Sequence, residues 1–97
     1  MVTLEGSTLS AVCFVNDGTF KYSTIDLNQH YSNDDGTLQS DDNRFFDSAR
    51  NVRLEATQKE LWLRAELKDK NGEWCDAKKD LSPCILNRNG TLVFERQ

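Results

Sequence analysis

Adjacent acidic side chains are the residues of this sequence whose types and spacing first suggest catalysis. Asp34 is followed by Asp35, and Asp41 by Asp42. Glycoside hydrolysis needs two carboxyl groups with different roles, an acid and a base or nucleophile, held across the scissile bond. Nothing in the sequence around either pair would give its two members different roles. We interpret all four as solvated turn acids and expect no catalysis.

Calcium binding is the second chemistry that these acids suggest. Asn33, Asp35 and Gly36, with Asp42 further on, are similar in type to the residues of a calcium-binding loop. In the EF-hand template, however, the first ligand would fall on Tyr31 and the last on Asp42, where a bidentate glutamate is needed. Turn formation explains these residues better, so we expect no metal site.

Histidine and cysteine are too few for a nucleophilic or zinc centre. His30 is the only histidine and no G-x-S-x-G sequence is present, which excludes a catalytic triad. Cys75 and Cys84 lack the C-x-x-C spacing of zinc sites, and phosphate-binding and dinucleotide-binding fingerprints are absent. We therefore expect no cofactor. Three cysteines cannot all pair, so a Cys75–Cys84 bridge and three free thiols both remain open.

Composition limits the partners of the chain. Its 97 residues allow one compact domain, and its formal charge of −4 argues against nucleic acid and anionic membrane surfaces. No stretch reaches the ~20 apolar residues of a membrane helix, so we expect no membrane insertion. Residues 1–5 lack the features of a secretory signal. This pattern favours a cytoplasmic or non-classically secreted protein, unless a signal has been removed.

An internal repeat organises the sequence. Thr24–Leu38 and Lys78–Leu92 share Asp, Leu, Asn, Gly, Thr and Leu at a constant offset of 54 residues. Val2–Glu5 and Val52–Glu55 match at an offset of 50, so four extra residues must lie in the turn that contains Thr57–Glu60. We predict a single domain over residues 1–97, made of repeats at about 1–40 and 43–97 and joined by a short polar linker.

Each repeat has the pattern of strands joined by tight turns. Leu61–Leu67 alternates apolar and polar residues, which predicts a strand with Leu61, Leu63, Ala65 and Leu67 on one face. Residues 28–32 and 82–86 are too short for stable α-helices and predict single 3₁₀ turns. Four Asp-Gly or Asn-Gly pairs predict type I′ hairpin turns, at residues 17–18, 35–36, 71–72 and 89–90. The fold class is therefore all-β with short 3₁₀ turns.

The two copies resemble the cyanovirin-N homology (CVNH) family, a group of lectins. The matching segments are Leu4–Cys13, Ser23–Asn28, Asn33–Leu38, Ser48–Leu54 and Asn71–Trp74. The resemblance implies a pseudo-symmetric fold with a triple-stranded sheet and a β-hairpin in each half, the hairpins being exchanged between the repeats. It also implies up to two metal-independent sugar sites.

The resemblance places both sites on polar residues near turns. The linker-side site would use Ser32, Asn33, Asp35, Asn43, Arg44, Asp47, Ser48, Asp69, Lys70 and Gly72. The second site would use Phe14, Asn16, Asn87, Arg88 and Asn89, with Phe14 where the family has a polar residue. The family's usual cysteine pairs are broken, since Ala49 and Leu67 occupy one pair and Cys13 has no partner. Ser40 replaces the tryptophan usual before the linker.

The resemblance implies recognition of mannose-type oligosaccharides, above all terminal α1-2-linked mannose, on free glycans or glycoproteins. Three alternatives stay open: a lectin for another glycan such as N-acetylglucosamine oligomers, a β-rich protein-interaction scaffold, and a glycosidase. Polar turn residues suit sugar hydroxyls because they offer donors and acceptors in fixed geometry. The expected assembly is a monomer or a domain-swapped dimer.

Overall fold

The structure, a computed structural model, describes residues 2–40 and 42–95. Asp41, one of the paired acids of the predicted linker, lies outside the described residues, as do residues 1, 96 and 97. Two 3₁₀ helices are described, over Leu27–Gln29 and Phe45–Ser48. The strands are β1 (Val2–Glu5), β2 (Thr8–Phe14), β3 (Phe20–Asp26), β4 (Tyr31–Asp34), β5 (Thr37–Ser40), β6 (Ala49–Ala56), β7 (Leu61–Lys68), β8 (Trp74–Asp80), β9 (Ile85–Arg88) and β10 (Thr91–Phe94).

The predicted all-β, two-half architecture is confirmed. Each half contributes an antiparallel three-stranded sheet, β1-β2-β3 or β6-β7-β8, and an antiparallel hairpin, β4-β5 or β9-β10. Strand β10 packs against β3, and β5 packs against β8. Each hairpin therefore lies on the sheet of the other half, which is the exchange that the family resemblance implies. No helix among the described residues is long and apolar enough to cross a bilayer.

The apolar core lies between the sheets and the exchanged hairpins. In β7 the alternation of the sequence is realised, since Leu63, Ala65 and Leu67 are buried while Leu61 is half-buried. Burial of one such leucine stabilises the fold by about 1.5–3 kcal/mol. Trp62 faces the other way and is covered by the Lys78 ammonium, 5.1 Å from the ring centroid. The buried cluster contains Leu9, Leu27, Tyr31, Leu38, Phe45, Leu63, Ala65, Leu67 and Leu81.

Two of the four predicted type I′ turns are confirmed, both in the exchanged hairpins. Asp35 and Gly36 have φ angles of 51° and 88°, and Asn89 and Gly90 have 53° and 94°. A Cβ atom on Gly36 would lie 2.9 Å from the Cys75 sulfur. The glycine therefore supplies both the left-handed backbone and the close approach of the hairpin to the other half.

The type I′ prediction is wrong for the other two pairs. Gly18 has a positive φ of 89° but Asp17 does not, and bonds from Val15 N to Thr19 O and from Gly18 N to Val15 O close a three-residue loop. This is a type I turn followed by a left-handed glycine. Asp17 favours it, because its carboxylate accepts bonds from the Thr19 backbone N–H (3.0 Å) and hydroxyl (2.6 Å). The turn that ends at Gly72 follows the same pattern.

The short helical turns are shifted relative to the prediction. The 3₁₀ turn expected at 28–32 lies at Leu27–Gln29, because the Asp26 carboxylate accepts the Asn28 N–H (3.0 Å) and starts the turn early. Residues 82–84 form a hydrogen-bonded turn rather than a 3₁₀ helix. The 3₁₀ helix at Phe45–Ser48 was not predicted. The four extra residues of the β6–β7 connection are confirmed by the strand register. Glu5 pairs with Thr8 across two residues, whereas their counterparts Glu55 and Trp62 pair across six.

Candidate functional site

Asn33, in the predicted linker-side site, joins three elements through its side-chain hydrogen bonds. Its side-chain nitrogen donates hydrogen bonds to the Ser48 hydroxyl (2.7 Å) and to the Lys68 carbonyl (2.8 Å). Its side-chain oxygen accepts the Gly36 N–H (2.8 Å). Both amide protons are therefore engaged inside the protein, and the residue positions the site by holding the β4-β5 hairpin against β7 and the second 3₁₀ helix.

Asp35 contacts the turn after β7, and we call this contact the Asp35–Lys70 junction. The Asp35 carboxylate accepts the Lys70 N–H at 2.8 Å. In the same turn the Asp69 carboxylate accepts the Asn71 and Glu73 N–H groups at 2.9 and 3.0 Å. The Glu73 N–H, foremost, lowers the pKa of Asp69 below the ordinary value. Asp35, Asp69 and Lys70 thus lie together, and Gly72 closes their turn by bonding to the Asp69 carbonyl (3.0 Å).

An open polar depression of about 540 Å³ lies beside this junction. It contains Ser32, Asn33 and Asn43 of the predicted set, and its remaining lining residues are Asp34, Gln39, Ser40 and Asp42. Within the described residues, the side chains of Ser32, Asp34, Gln39, Ser40 and Asn43 make no hydrogen bond with the protein. Their hydroxyl, amide and carboxylate groups therefore face solvent or a ligand.

The second 3₁₀ helix places the remaining predicted residues. Asn28 fixes its start, because its backbone carbonyl accepts the Arg44 N–H (2.7 Å) and its side chain accepts the Phe46 N–H (2.9 Å). Arg44 has a left-handed φ of 70° and lies 3.9 Å from the Asp47 carboxylate, with both side chains exposed. Ser48 is drawn inward by its bond to Asn33.

Four lining residues were missed by the sequence reasoning. Strand register gives the signal that could have found two of them, because Ser32 pairs with Gln39 and Tyr31 pairs with Ser40 across the hairpin. The other two, Asp34 and Asp42, had been interpreted only as turn acids.

The second predicted site repeats the hydrogen bonds of Asn33 and Asp35 at the positions related by the offset of 54. The Asn87 side chain donates to the Phe14 carbonyl (3.0 Å) and accepts the Gly90 N–H (2.8 Å), as Asn33 does with Lys68 and Gly36. The Asn89 side chain accepts the Asn16 N–H (2.7 Å), as Asp35 does with Lys70. Phe14, Asn16, Asn87 and Asn89 therefore do lie together.

Arg88 differs from these four because it is engaged elsewhere. Its guanidinium forms a two-point ion pair with Glu95, with the Nε contact at 2.7 Å and a closer contact from Nη2. Hydrogen bonding between the two groups raises the pKa of Arg88 and lowers that of Glu95. Phe14 and Asn87 also line an apolar cavity of about 310 Å³ that reaches Leu9, Ala11 and Cys13 of β2.

The cysteines are free thiols in the structure, so the open alternative of a Cys75–Cys84 bridge is not realised. Cys13 and Cys84 are buried. Desolvation, with the hydrogen bond to Asp69 as the next cause, raises the pKa of Cys75 and keeps it a thiol at neutral pH. Within residues 2–40 and 42–95, no group of three or more His, Cys, Asp or Glu side chains is placed to hold a metal ion.

Comparison with known proteins matches this arrangement to one family. The family model described as the CVNH domain matches residues 1–93. The chain belongs to the CVNH family. Members of this family are lectins that bind carbohydrate and are not enzymes.

Three solved CVNH structures are similar to this chain. The CVNH protein of Gibberella zeae, solved by NMR, is 36% identical with a TM-score of 0.88, covering 97% of this chain and 90% of that one. A MoCVNH3 variant in complex with (N-GlcNAc)4 is 27% identical with a TM-score of 0.88, covering 97% and 91%. Microvirin in complex with mannobiose is 27% identical with a TM-score of 0.86, covering 98% and 92%.

Proposed function

We propose that this CVNH lectin recognises mannose-type oligosaccharides, with terminal α1-2-linked mannose as the preferred unit, at the linker-side site. The observation that carries the proposal is the polar depression of about 540 Å³, whose lining includes five polar side chains without a hydrogen-bond partner among the described residues. Mannobiose in the microvirin complex supports this sugar class.

Sugar recognition by this depression needs fixed donors and acceptors at its wall. Ser32 and Gln39 face each other across the β4-β5 hairpin, so a hydroxyl and an amide lie side by side. Asn43 adds a second amide from the chain after β5, and the Asp34 carboxylate adds an acceptor. Adjacent sugar hydroxyls can bond to such neighbouring groups at once, each acting as donor to one and acceptor from another.

Rigidity of the wall is as important as its chemistry. The Asn33 and Asp35 bonds to Lys68 and Lys70 hold the hairpin before any ligand arrives. Preorganised groups lose little entropy on binding, which matters because each hydrogen bond to a sugar replaces one to water with little net gain. We expect weak binding per site, with avidity supplied by multivalency.

Two substitutions at the depression test the proposal. Asn43→Ala and Ser32→Ala each remove a side chain that has no hydrogen-bond partner in the part of the chain that the structure describes, so both variants should fold normally. We expect each to weaken α1-2-mannobiose binding by about tenfold, equivalent to one or two lost hydrogen bonds. Isothermal titration calorimetry measures this directly. Gln58→Ala, on the exposed β6–β7 turn, is the matched control and should bind as the parent does.

The competing functions give different results in the same experiment. If both variants bind mannobiose with unchanged affinity, the depression is not the mannobiose site. If the parent binds N-acetylglucosamine oligomers and both variants lose this binding, the ligand of the depression is that glycan and not mannose. Absence of binding to a broad glycan panel would favour a protein-interaction scaffold.

A further inference from the structure

The outer face of the β1-β2-β3 sheet carries an exposed aromatic surface. Strand register places Val12 opposite Tyr22 and Phe14 opposite Phe20. These residues are exposed by 47%, 67%, 57% and 66% respectively. The two phenylalanine rings meet edge to face with centroids 5.0 Å apart. We call these four residues the aromatic face.

The second half shows that the fold does not require an apolar surface here. At the offset of 54, the four positions of the aromatic face become Glu66, Asp76, Lys68 and Trp74. The Trp74 ring is covered by the Arg50 guanidinium, 4.1 Å from its centroid, and Arg50 also pairs with Glu66 at 2.6 Å. The same sheet face is thus covered by charged side chains in one half and bare in the other.

The row that follows Val12 and Tyr22 along the sheet is neutral and hydroxylated, whereas the turn beyond Phe14 and Phe20 carries the Asp17 carboxylate. The next row of the sheet on the same side consists of Thr3, Ser10 and Thr24. In a chain with 29% charged residues, three successive rows without a charge form an unusual surface. An uncharged ligand with both apolar and hydroxyl groups matches this surface better than an ionic one.

The aromatic face is continuous with the second candidate site. Phe14 belongs to both, and its backbone carbonyl accepts the Asn87 side-chain N–H at 3.0 Å. Beyond it the Asn16 side chain makes no hydrogen bond among the described residues, although its backbone N–H bonds to Asn89. The exposed Asn16 thus lies two residues beyond Phe14, in the turn that joins β2 to β3.

We propose that the aromatic face, together with Asn16, binds a chain of β1-4-linked N-acetylglucosamine residues. All ring substituents of this sugar are equatorial, so both faces of its ring present only C–H bonds. These bonds are positively polarised and stack on the negative faces of aromatic rings. The axial hydroxyl of mannose interrupts one face. The acetamido group adds a methyl for the phenylalanines and an amide that hydrogen-bonds to Asn16. The (N-GlcNAc)4 complex of a related structure provides the probe.

This inference depends on the proposed function only in treating the chain as a lectin, because the two ligands use different surfaces, the depression beside the β4-β5 hairpin and the outer face of the β1-β2-β3 sheet. The test is an NMR titration of the labelled protein with the N-acetylglucosamine tetramer. Phe14→Lys and Tyr22→Asp copy residues that the same fold already carries in its second half, so both variants should fold. Each is expected to weaken tetramer binding by about tenfold. Tyr22→Asp, which lies outside both predicted mannose sites, should leave mannobiose binding unchanged. Trp74→Ala, on the counterpart face, is the matched control and should leave tetramer binding intact.

Four results would overturn the inference. If Phe14→Lys binds the tetramer as tightly as the parent does, the aromatic face is not the tetramer site. Equally tight binding of cellotetraose, which lacks the acetamido groups, would reject N-acetylglucosamine as the preferred sugar. A parent dimer that dissociates in Phe14→Lys during sedimentation would show that a second copy covers the face. Absence of tetramer binding to the parent, with mannobiose still bound, would reject this inference and leave the proposed function standing.

Discussion

At the scale of single residues, structural and binding roles fall on neighbouring polar side chains. Asn33 and Asn87 match the family pattern, but their amides hold the exchanged hairpins in place. The groups left for a ligand include Ser32 and Asn43, together with Gln39, which the sequence motif did not indicate. A motif shows which residues recur, and only the hydrogen-bond partners show which of them are already engaged.

Asn33→Ala should therefore destabilise the protein more than Asn87→Ala. The first variant loses three hydrogen bonds and leaves Lys68 and Gly36 backbone groups without a partner, while the second loses two bonds. We expect about 2–3 kcal/mol for Asn33→Ala and about 1–2 kcal/mol for Asn87→Ala in the free energy of unfolding. Urea denaturation measures both. If neither variant lost measurable stability, the role of the two amides in holding the hairpins would be contradicted.

The Asp69 carboxylate should make stability depend on pH in the acid range only. Its pKa is lowered in the folded protein, chiefly by the Glu73 N–H. A lowered folded-state pKa contributes stability above the ordinary aspartate value, and that contribution is lost as the pH falls through the folded-state pKa. Relative to Asp69→Asn, the parent should thus be more stable by a constant margin from pH 5 to 8, and the margin should shrink below about pH 4. A margin that grows on acidification would contradict this assignment.

At the scale of elements, the sequence predicts what is local or repeated. The alternation of β7 and the offset of 54 predict the sheets and the position of the extra turn residues, and the family resemblance adds the hairpin exchange. The 3₁₀ helix at Phe45–Ser48 escapes prediction because Asn28 of the other repeat fixes its start through long-range bonds. The loop at Asp17 escapes because a side-chain carboxylate selects a three-residue turn over the two-residue one.

The contact between the β1-β2-β3 sheet and the β9-β10 hairpin leaves room for a larger side chain. Cys13 is buried beside the cavity of about 310 Å³, and its counterpart at the offset of 54 is Leu67, which is fully buried. Cys13→Leu should stabilise the protein by about 1 kcal/mol, because it buries more apolar surface where space exists. Thermal unfolding measures the gain. Leu67→Cys is the matched reverse change and should be destabilising; a loss of stability in Cys13→Leu would show that the cavity wall cannot accept the longer side chain.

At the scale of the whole molecule, pseudo-symmetry in the backbone coexists with asymmetry in the surfaces. The chain extends over 51 × 22 × 21 Å, with exchanged hairpins joining the two halves. The β4-β5 hairpin and the chain after it present an open polar depression, and the outer face of the β1-β2-β3 sheet presents the aromatic face. On the β9-β10 hairpin, Arg88 is held by Glu95. The two copies of one scaffold thus differ in their surfaces, and we propose a different sugar for each of two of these surfaces.

Mannose recognition at the linker-side depression is tested most directly by an NMR titration of the isotope-labelled protein with α1-2-mannobiose. We predict that amide shifts concentrate at the linker-side depression, around Ser32, Gln39 and Asn43, with smaller shifts at the Asp35–Lys70 junction and none on the aromatic face. Asn43→Ala should shift the titration to about tenfold higher mannobiose concentration without altering the spectrum of the free protein elsewhere. Saturable shifts centred on Asn87 and Asn89, with the depression silent, would contradict the assignment of mannose recognition to the linker-side site.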